Sequence, residues 1–318
     1  SPVAAAPRTK KKTGIMAETA APPAKPPFAL VTGGNAGLGL ATAIALAQRG
    51  YRVLISTRTH EKGKEAVAAI RAAAPDAPHV EYDDLDLASL SSVFAFAGHF
   101  WRKHADDPLD VLVLNAGIMN TPFAMTEDGF EAQFQVNYLS HFLLTHLLLL
   151  SMKRGSRVVS LSSRAHLRWQ APVDAKAVRT ETAETYDGWK AYGRSKLCNI
   201  LHVKALAKRF PVGSDRFDVT FNALHPGLVD TNLLKVANLS EKAIAGARTI
   251  DEGIKTVIYL CTSPDLATVT GEYFADEAIV KEDGEISEWA RSDTEADKLW
   301  DESEVFCDIP PGTYGQPE

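Results

Sequence analysis

The chain has 318 residues, of which 45% are hydrophobic and 23% charged, with a formal net charge of −6. These values suit one large or two small domains of ordinary soluble character, and they argue against nucleic acid as a general partner. Three scattered cysteines (Cys198, Cys261, Cys307) form no CxxC pair, which excludes a disulfide scaffold and fits a reducing compartment.

The first 27 residues, rich in Ala, Pro and Lys, contain no acid before Glu18. They cannot bury enough apolar surface to fold alone. They read either as a solvated tail or as the remnant of an organelle transit peptide. The expected compartment is accordingly cytoplasmic, or the plastid stroma if the tail is such a remnant. From residue 28 short apolar runs alternate with helical spacing. FALVTG (28–33) predicts a strand and Leu38–Arg49 a helix. YRVLIST and Glu61–Ala73 repeat the pattern, as do HVEYDDLD and Ser89–His104. LDVLVLNAG then leads to one long helix over Gly129–Leu150. The apolar run within it, Phe142–Leu150, is too short to span a membrane and reads as a buried helix face. SRVVSLSS, the helix Gly188–Phe210, FDVTFNALHPG and GEYFAD complete the series. Such alternation predicts an α/β doubly wound Rossmann fold, with a mostly parallel seven-stranded sheet and helices on both faces. No composition break interrupts 28–290, so this span reads as a single domain. Residues 291–318 read as a C-terminal helix, packed through Trp300 and Leu299, and an extended tail.

The glycines at 33, 34, 37 and 39 fall where the first strand turns into the first helix. Without β-carbons the backbone can approach a pyrophosphate, and a helix N-terminus offers free N–H groups and positive dipole. Tyr192 and Lys196 lie four apart on a predicted helix and so share a face. A free tyrosine, with a pKa of about 10, is a poor acid–base catalyst at neutral pH. A neighbouring ammonium and a nicotinamide cation are expected to pull it toward the working range.

TGxxxGxG at 32–39, NAG at 115–117, Ser163 and YxxxK at 192–196 together resemble the short-chain dehydrogenase/reductase family over about residues 28–280. LSSRAH, AYGRSKLCNILHVKALAKR and HPGLVDTNL resemble its retinol-dehydrogenase-like branch, with wording shared by plastid-envelope relatives and protochlorophyllide oxidoreductase. The resemblance implies a catalytic set of Asn137, Ser163, Tyr192 and Lys196, with Ser162 as the alternative hydroxyl. It implies a dinucleotide held by Gly33, Asn35, Ala36, Gly37, Leu38 and Gly39. Asp86 and Leu87 would lie at the adenine, Asn115, Ala116 and Gly117 near the ribose, and Pro226, Gly227, Val229 and Thr231 around the nicotinamide. Tyr192 and Lys196 would also touch the cofactor. Leu114 departs from the family, which often has a second Asn there. Thr57 stands where NAD readers place an acid, and Arg58 follows, so NADP(H) is the expected cofactor.

The implied reaction is hydride transfer between NADP(H) and the carbonyl or alcohol of a lipophilic small molecule, with Tyr192 as acid–base. The competing reading is a catalytically silent reductase-fold subunit, binding NADP(H) as a scaffold or redox sensor in a larger complex. A homo-oligomer is a further expectation. No metal is expected, since His141, His146 and His166 lack partners in ligand spacing. Cys198 reads as a small buried hydrophobe. Residues 164–187 should line the substrate mouth, with Trp169 a candidate contact, and 231–250 should form a lid.

Overall fold

The computed structural model describes residues 25–214, 218–235, 245–310 and 313. Residues 1–24 of the proposed tail (1–27) and the middle of the proposed lid (236–244) lie outside the described residues.

The strands are β1 (Phe28–Thr32), β2 (Arg52–Thr57), β3 (Val80–Asp84), β4 (Leu109–Leu114), β5 (Met152–Leu161), β6 (Val219–His225), β7 (Tyr273–Ala275) and β8 (Ala278–Ile279). They form an eight-stranded sheet in the order β3-β2-β1-β4-β5-β6-β7-β8. The expected seven strands are present and parallel; β8 is the addition, a two-residue strand antiparallel to β7. It is too short to carry a period-2 pattern, which is why sequence reasoning passes over it. All five residues of β1 are buried, as a strand covered on both faces requires.

Helices α1 (Gly37–Gln48), α2 (His60–Ala73) and α3 (Leu90–Lys103) follow the first three strands. The single helix expected over 129–150 is broken. An α-helical turn at Ala132–Phe134 passes into a π-helical stretch, Gln135–Leu139, before α4 (Ser140–Leu148). Such bulges frequently mark functional sites, and Asn137 sits inside this one. Helix α5 (Gly188–Arg209) is capped by Asp187, whose carboxylate accepts from the N–H groups of Trp189 and Lys190. Helices α6 (Ile250–Thr262) and α7 (Asp293–Phe306) complete the shell.

Two apolar layers flank the sheet. One joins α1, α2 and α6 to Val31, Ile55 and Val113; the other joins α3, α4, α5 and α7 to Leu30, Leu112 and Val158. Helix α7 packs onto α5 and the π-helical stretch. Arg209 lies 4.5 Å over the Trp300 ring, and the Tyr138 hydroxyl meets that of Ser303 at 2.7 Å. Strand order reverses between β1 and β4, so a crevice opens at their carboxyl ends.

Candidate active site

The crevice is built by turns leaving β1, β2, β4, β5 and β6. Gly37 has φ +53°, and the N-cap position Ala36 offers no side-chain hydrogen bond. The first turn of α1 carries no acid, which leaves its N–H groups and positive dipole available to an anion. A Cβ at Gly39 would lie 2.3 Å from the Gly33 carbonyl oxygen and 2.4 Å from Asn115 Nδ2. Only glycine lets the helix pack this closely on the turn. Asn115 donates from Nδ2 to the Thr32 carbonyl at 2.8 Å, tying β4 to the β1 turn. Thr231 lies beside Gly37, 3.4 Å from the position of a Cβ there. Asn35, Ala36 and Leu38 complete this turn, and Ala116 lies against Gly33.

Thr57 is buried at the end of β2 and donates to the Thr59 carbonyl at 2.9 Å. Arg58 is exposed, with no ion pair or hydrogen bond among the described residues. Asp86 is exposed, and its Oδ1 accepts from Ala88 N–H at 2.9 Å. Leu87 turns its side chain into the core, and its carbonyl accepts from the Ser140 hydroxyl at 2.7 Å. Of that pair, Asp86 alone presents a side chain outward.

Tyr192, Lys196, Ser163 and Asn137 converge above β4 and β5. Tyr192 is 6% exposed. Burial raises its phenol to about 12, while a hydrogen bond with the Ser163 side chain lowers it. In this structure desolvation outweighs the Ser163 hydrogen bond, so the phenol sits above its ordinary value. Lys196 Nζ lies 5.6 Å from the Tyr192 ring centre and donates to the Leu161 carbonyl at 2.8 Å. Its burial lowers it to about 7. Ser162, the alternative hydroxyl, donates instead to the Lys196 carbonyl at 2.7 Å. It fixes the helix backbone and leaves Ser163 as the serine on the phenol.

Asn137 Oδ1 accepts from Ile118 N–H at 2.8 Å, while Nδ2 donates to the Ile118 carbonyl and the Ser195 hydroxyl, each at 2.9 Å. A Cβ at Gly117 would stand 3.0 Å from Asn137 Oδ1 and 3.6 Å from Lys196 Nζ, so both groups border the same space. Among the described residues Lys196 has one acceptor for its three protons, and Gly117 leaves room beside it. This is a donor set and a cradle that fit a cofactor ribose.

Pro226 and Gly227 follow β6, with Gly227 at φ +89°, a value glycine tolerates without strain. The Arg248 side chain covers Gly227, 2.6 Å from the position a Cβ would take. Val229 is buried and bridges to Arg248.

Sequence reasoning missed three features. Thr32 Oγ1 accepts from the N–H groups of Asn115 and Ala116 and meets His141 Nε2 at 2.9 Å. His141 Nδ1 faces the Asn137 carbonyl at 3.1 Å. Burial lowers His141 to about 4, so the ring is neutral, donates from Nδ1 and accepts from Thr32. Second, the buried Arg194 meets Glu181 at 2.7 Å and Glu131 at 3.4 Å, pinning the segment after β5 onto α5. Third, Trp169 lies 5.2 Å from the Arg194 guanidinium, which it covers. Trp189, with Met119, Ala165 and Leu233, is the apolar group at Tyr192. Each feature joins residues distant in sequence and leaves no local spacing to find. Among the described residues no group of His, Cys, Asp and Glu could hold a metal ion. Cys198 is fully buried.

The family model for short chain dehydrogenases matches residues 27–173. The chain is 40% identical to retinol dehydrogenase 14 of Mus musculus, over 88% of this chain and 85% of that protein. It is 37% identical to short-chain dehydrogenase TIC 32 A, chloroplastic, of Brassica napus, over 86% of each. A crystal structure of an uncharacterized protein from Mycobacterium paratuberculosis superposes with a TM-score of 0.70 at 31% identity, covering 90% of this chain and 96% of that one.

Proposed function

The chain belongs to the short-chain dehydrogenase/reductase family, in its retinol-dehydrogenase-like branch, and on that premise we propose that it is an NADP(H)-dependent reductase of lipophilic carbonyl compounds. The observation that carries this reading is the buried Tyr192 phenol, hydrogen-bonded to Ser163 with Lys196 one turn along the same helix. Bound NADPH supplies the hydride. Ser163 and Tyr192 offer two hydroxyl donors to one carbonyl oxygen and polarise it. The raised phenol keeps its proton at neutral pH, which suits it to give that proton to the forming alkoxide. Lys196 would hold the ribose with its remaining donors, and the space it shares with Asn137 Oδ1 would give the proton a route for resupply. Arg58 supports the choice of NADP(H), because an exposed guanidinium with no partner among the described residues suits a 2′-phosphate. The apolar wall of Met119, Trp189, Ala165 and Leu233 supports a lipophilic substrate. The chloroplastic relative supports a plastid location, tested by imaging the full chain fused to a fluorescent protein.

The test is Tyr192→Phe, assayed with NADPH on a panel of apolar aldehydes and quinones. Turnover is expected to fall by about a hundredfold to ten-thousandfold while NADPH binding persists. Retained turnover would put the acid elsewhere. A wild-type chain that binds NADPH tightly but reduces nothing on the panel would favour the silent-subunit reading.

A further inference from the structure

The wall of the crevice beyond Tyr192 ends in a cation. Trp189 lies in the first turn of α5, its ring 6.2 Å from that of Tyr192 and nearly perpendicular to it. The Arg168 guanidinium stands over the face of the same indole, 4.9 Å from its centre. The guanidinium is thus two ring contacts from the phenol.

This placement is held from below. A Cβ at Gly193 would lie 2.6 Å from the Ala165 carbonyl and 3.3 Å from Arg168 Cβ. The short helical turn Arg164–Arg168 therefore seats directly on the α5 residue that follows Tyr192. The backbone and Cβ of Arg168 are thereby fixed beside the residue that follows Tyr192.

Its charge is also available. Arg164 and Arg194, on the same wall, are neutralised by Glu285 at 2.6 Å and by Glu181 at 2.7 Å. Arg168 is exposed and has no carboxylate partner among the described residues. The nearest acid in sequence to Trp189, Asp187, already caps α5 through two backbone N–H groups. An arginine stacked on an indole keeps its N–H edge free for a planar anion.

Resting on the reductase reading, we propose that the natural substrate is an amphipathic carbonyl compound. Its reacting carbonyl lies at Tyr192, its apolar body against Trp189, Met119 and Leu233, and a carboxylate at its far end pairs with Arg168. The site would then select acid-bearing carbonyls over neutral ones of the same length.

The experiment compares an ω-oxo fatty acid with its methyl ester, both with NADPH. The wild type is expected to prefer the acid, mainly through KM, and the preference should shrink as salt is raised. Arg168→Gln should lower the acid-to-ester ratio of kcat/KM about fivefold, the scale of one exposed ion pair. Arg168→Lys should restore part of it. A ratio unchanged by Arg168→Gln, or a wild type that favours the ester, overturns the anion site while leaving the reductase standing. A wild type that reduces neither compound but does reduce other aldehydes of the panel also overturns the anion site, and one that reduces nothing on the panel overturns the reductase reading. The pair is then titrated against the intrinsic tryptophan fluorescence with NADP+ present, which has no hydride to transfer. Tighter acid binding that Arg168→Gln abolishes upholds the anion site, and equal binding overturns it.

Discussion

Lys196 holds its ammonium 5.6 Å from the centre of the Tyr192 ring while donating to the Leu161 carbonyl at 2.8 Å. The two groups are buried together, and burial moves them in opposite directions, the lysine down to about 7 and the phenol up to about 12. Desolvation penalises the charged form of each, which is the cation of one and the anion of the other.

The pH dependence follows from this pair. Carbonyl reduction should carry an inflection near pH 7, declining above it as Lys196 loses its proton. Tyr192 should impose no loss until far into alkali, and alcohol oxidation, which needs the phenol deprotonated, should instead gain as pH rises. Profiles of kcat/KM in both directions check this. In Lys196→Arg the inflection should vanish, since a guanidinium stays charged; its persistence would assign it to another group.

Cofactor choice is expected to turn on Arg58. Arg58→Ala removes a guanidinium with no partner among the described residues, so the fold should not change. Affinity for NADPH should fall about tenfold to a hundredfold, as for a lost hydrogen bond to a charged group, with little change for NADH. Equal losses for the two dinucleotides would remove the 2′-phosphate from Arg58.

Gly39→Ala places a methyl group 2.3 Å from the Gly33 carbonyl and 2.4 Å from Asn115 Nδ2. Backbone and a clamped side chain must both move, at about 1–3 kcal/mol. Melting should shift down, and the stabilisation given by added NADPH should be lost with it. A variant that melts like the wild type and keeps the NADPH shift would mean the turn relaxes freely.

Acid should unfold the protein through its buried histidines. Burial lowers His141, His146 and His225 to about 4 and His202 to about 3. The unfolded chain, with histidines near 6.5, binds more protons between these values, so stability is full above about 6.5 and falls as pH drops toward 4. His141 alone contributes on the order of 3 kcal/mol across that window. Denaturant midpoints measured at pH 7 and near pH 4 should separate accordingly; coincident midpoints would mean these rings are not buried neutral.

The fold was legible because its signals are local. Apolar runs of strand length between helical repeats specify a parallel sheet whatever the rest of the chain does, and the glycines at 33, 37 and 39 punctuate the first turn. Tyr192 and Lys196, four apart on α5, announce a shared face. Neighbours in sequence could not reveal which serine meets the phenol. Ser162 and Ser163 differ only in the side of the strand end from which they project, and α5 claims the first. The same holds for Trp169 and Trp189, whose partners, Arg194 and Tyr192, lie on opposite sides of α5. Composition, periodicity and motif spacing determined a dinucleotide-type sheet and a tyrosine–lysine face. The tertiary structure decided the protonation bias of that face, the π-bulge at Asn137 and the cation beyond Trp189, because desolvation and contact are properties of surroundings assembled from across the chain.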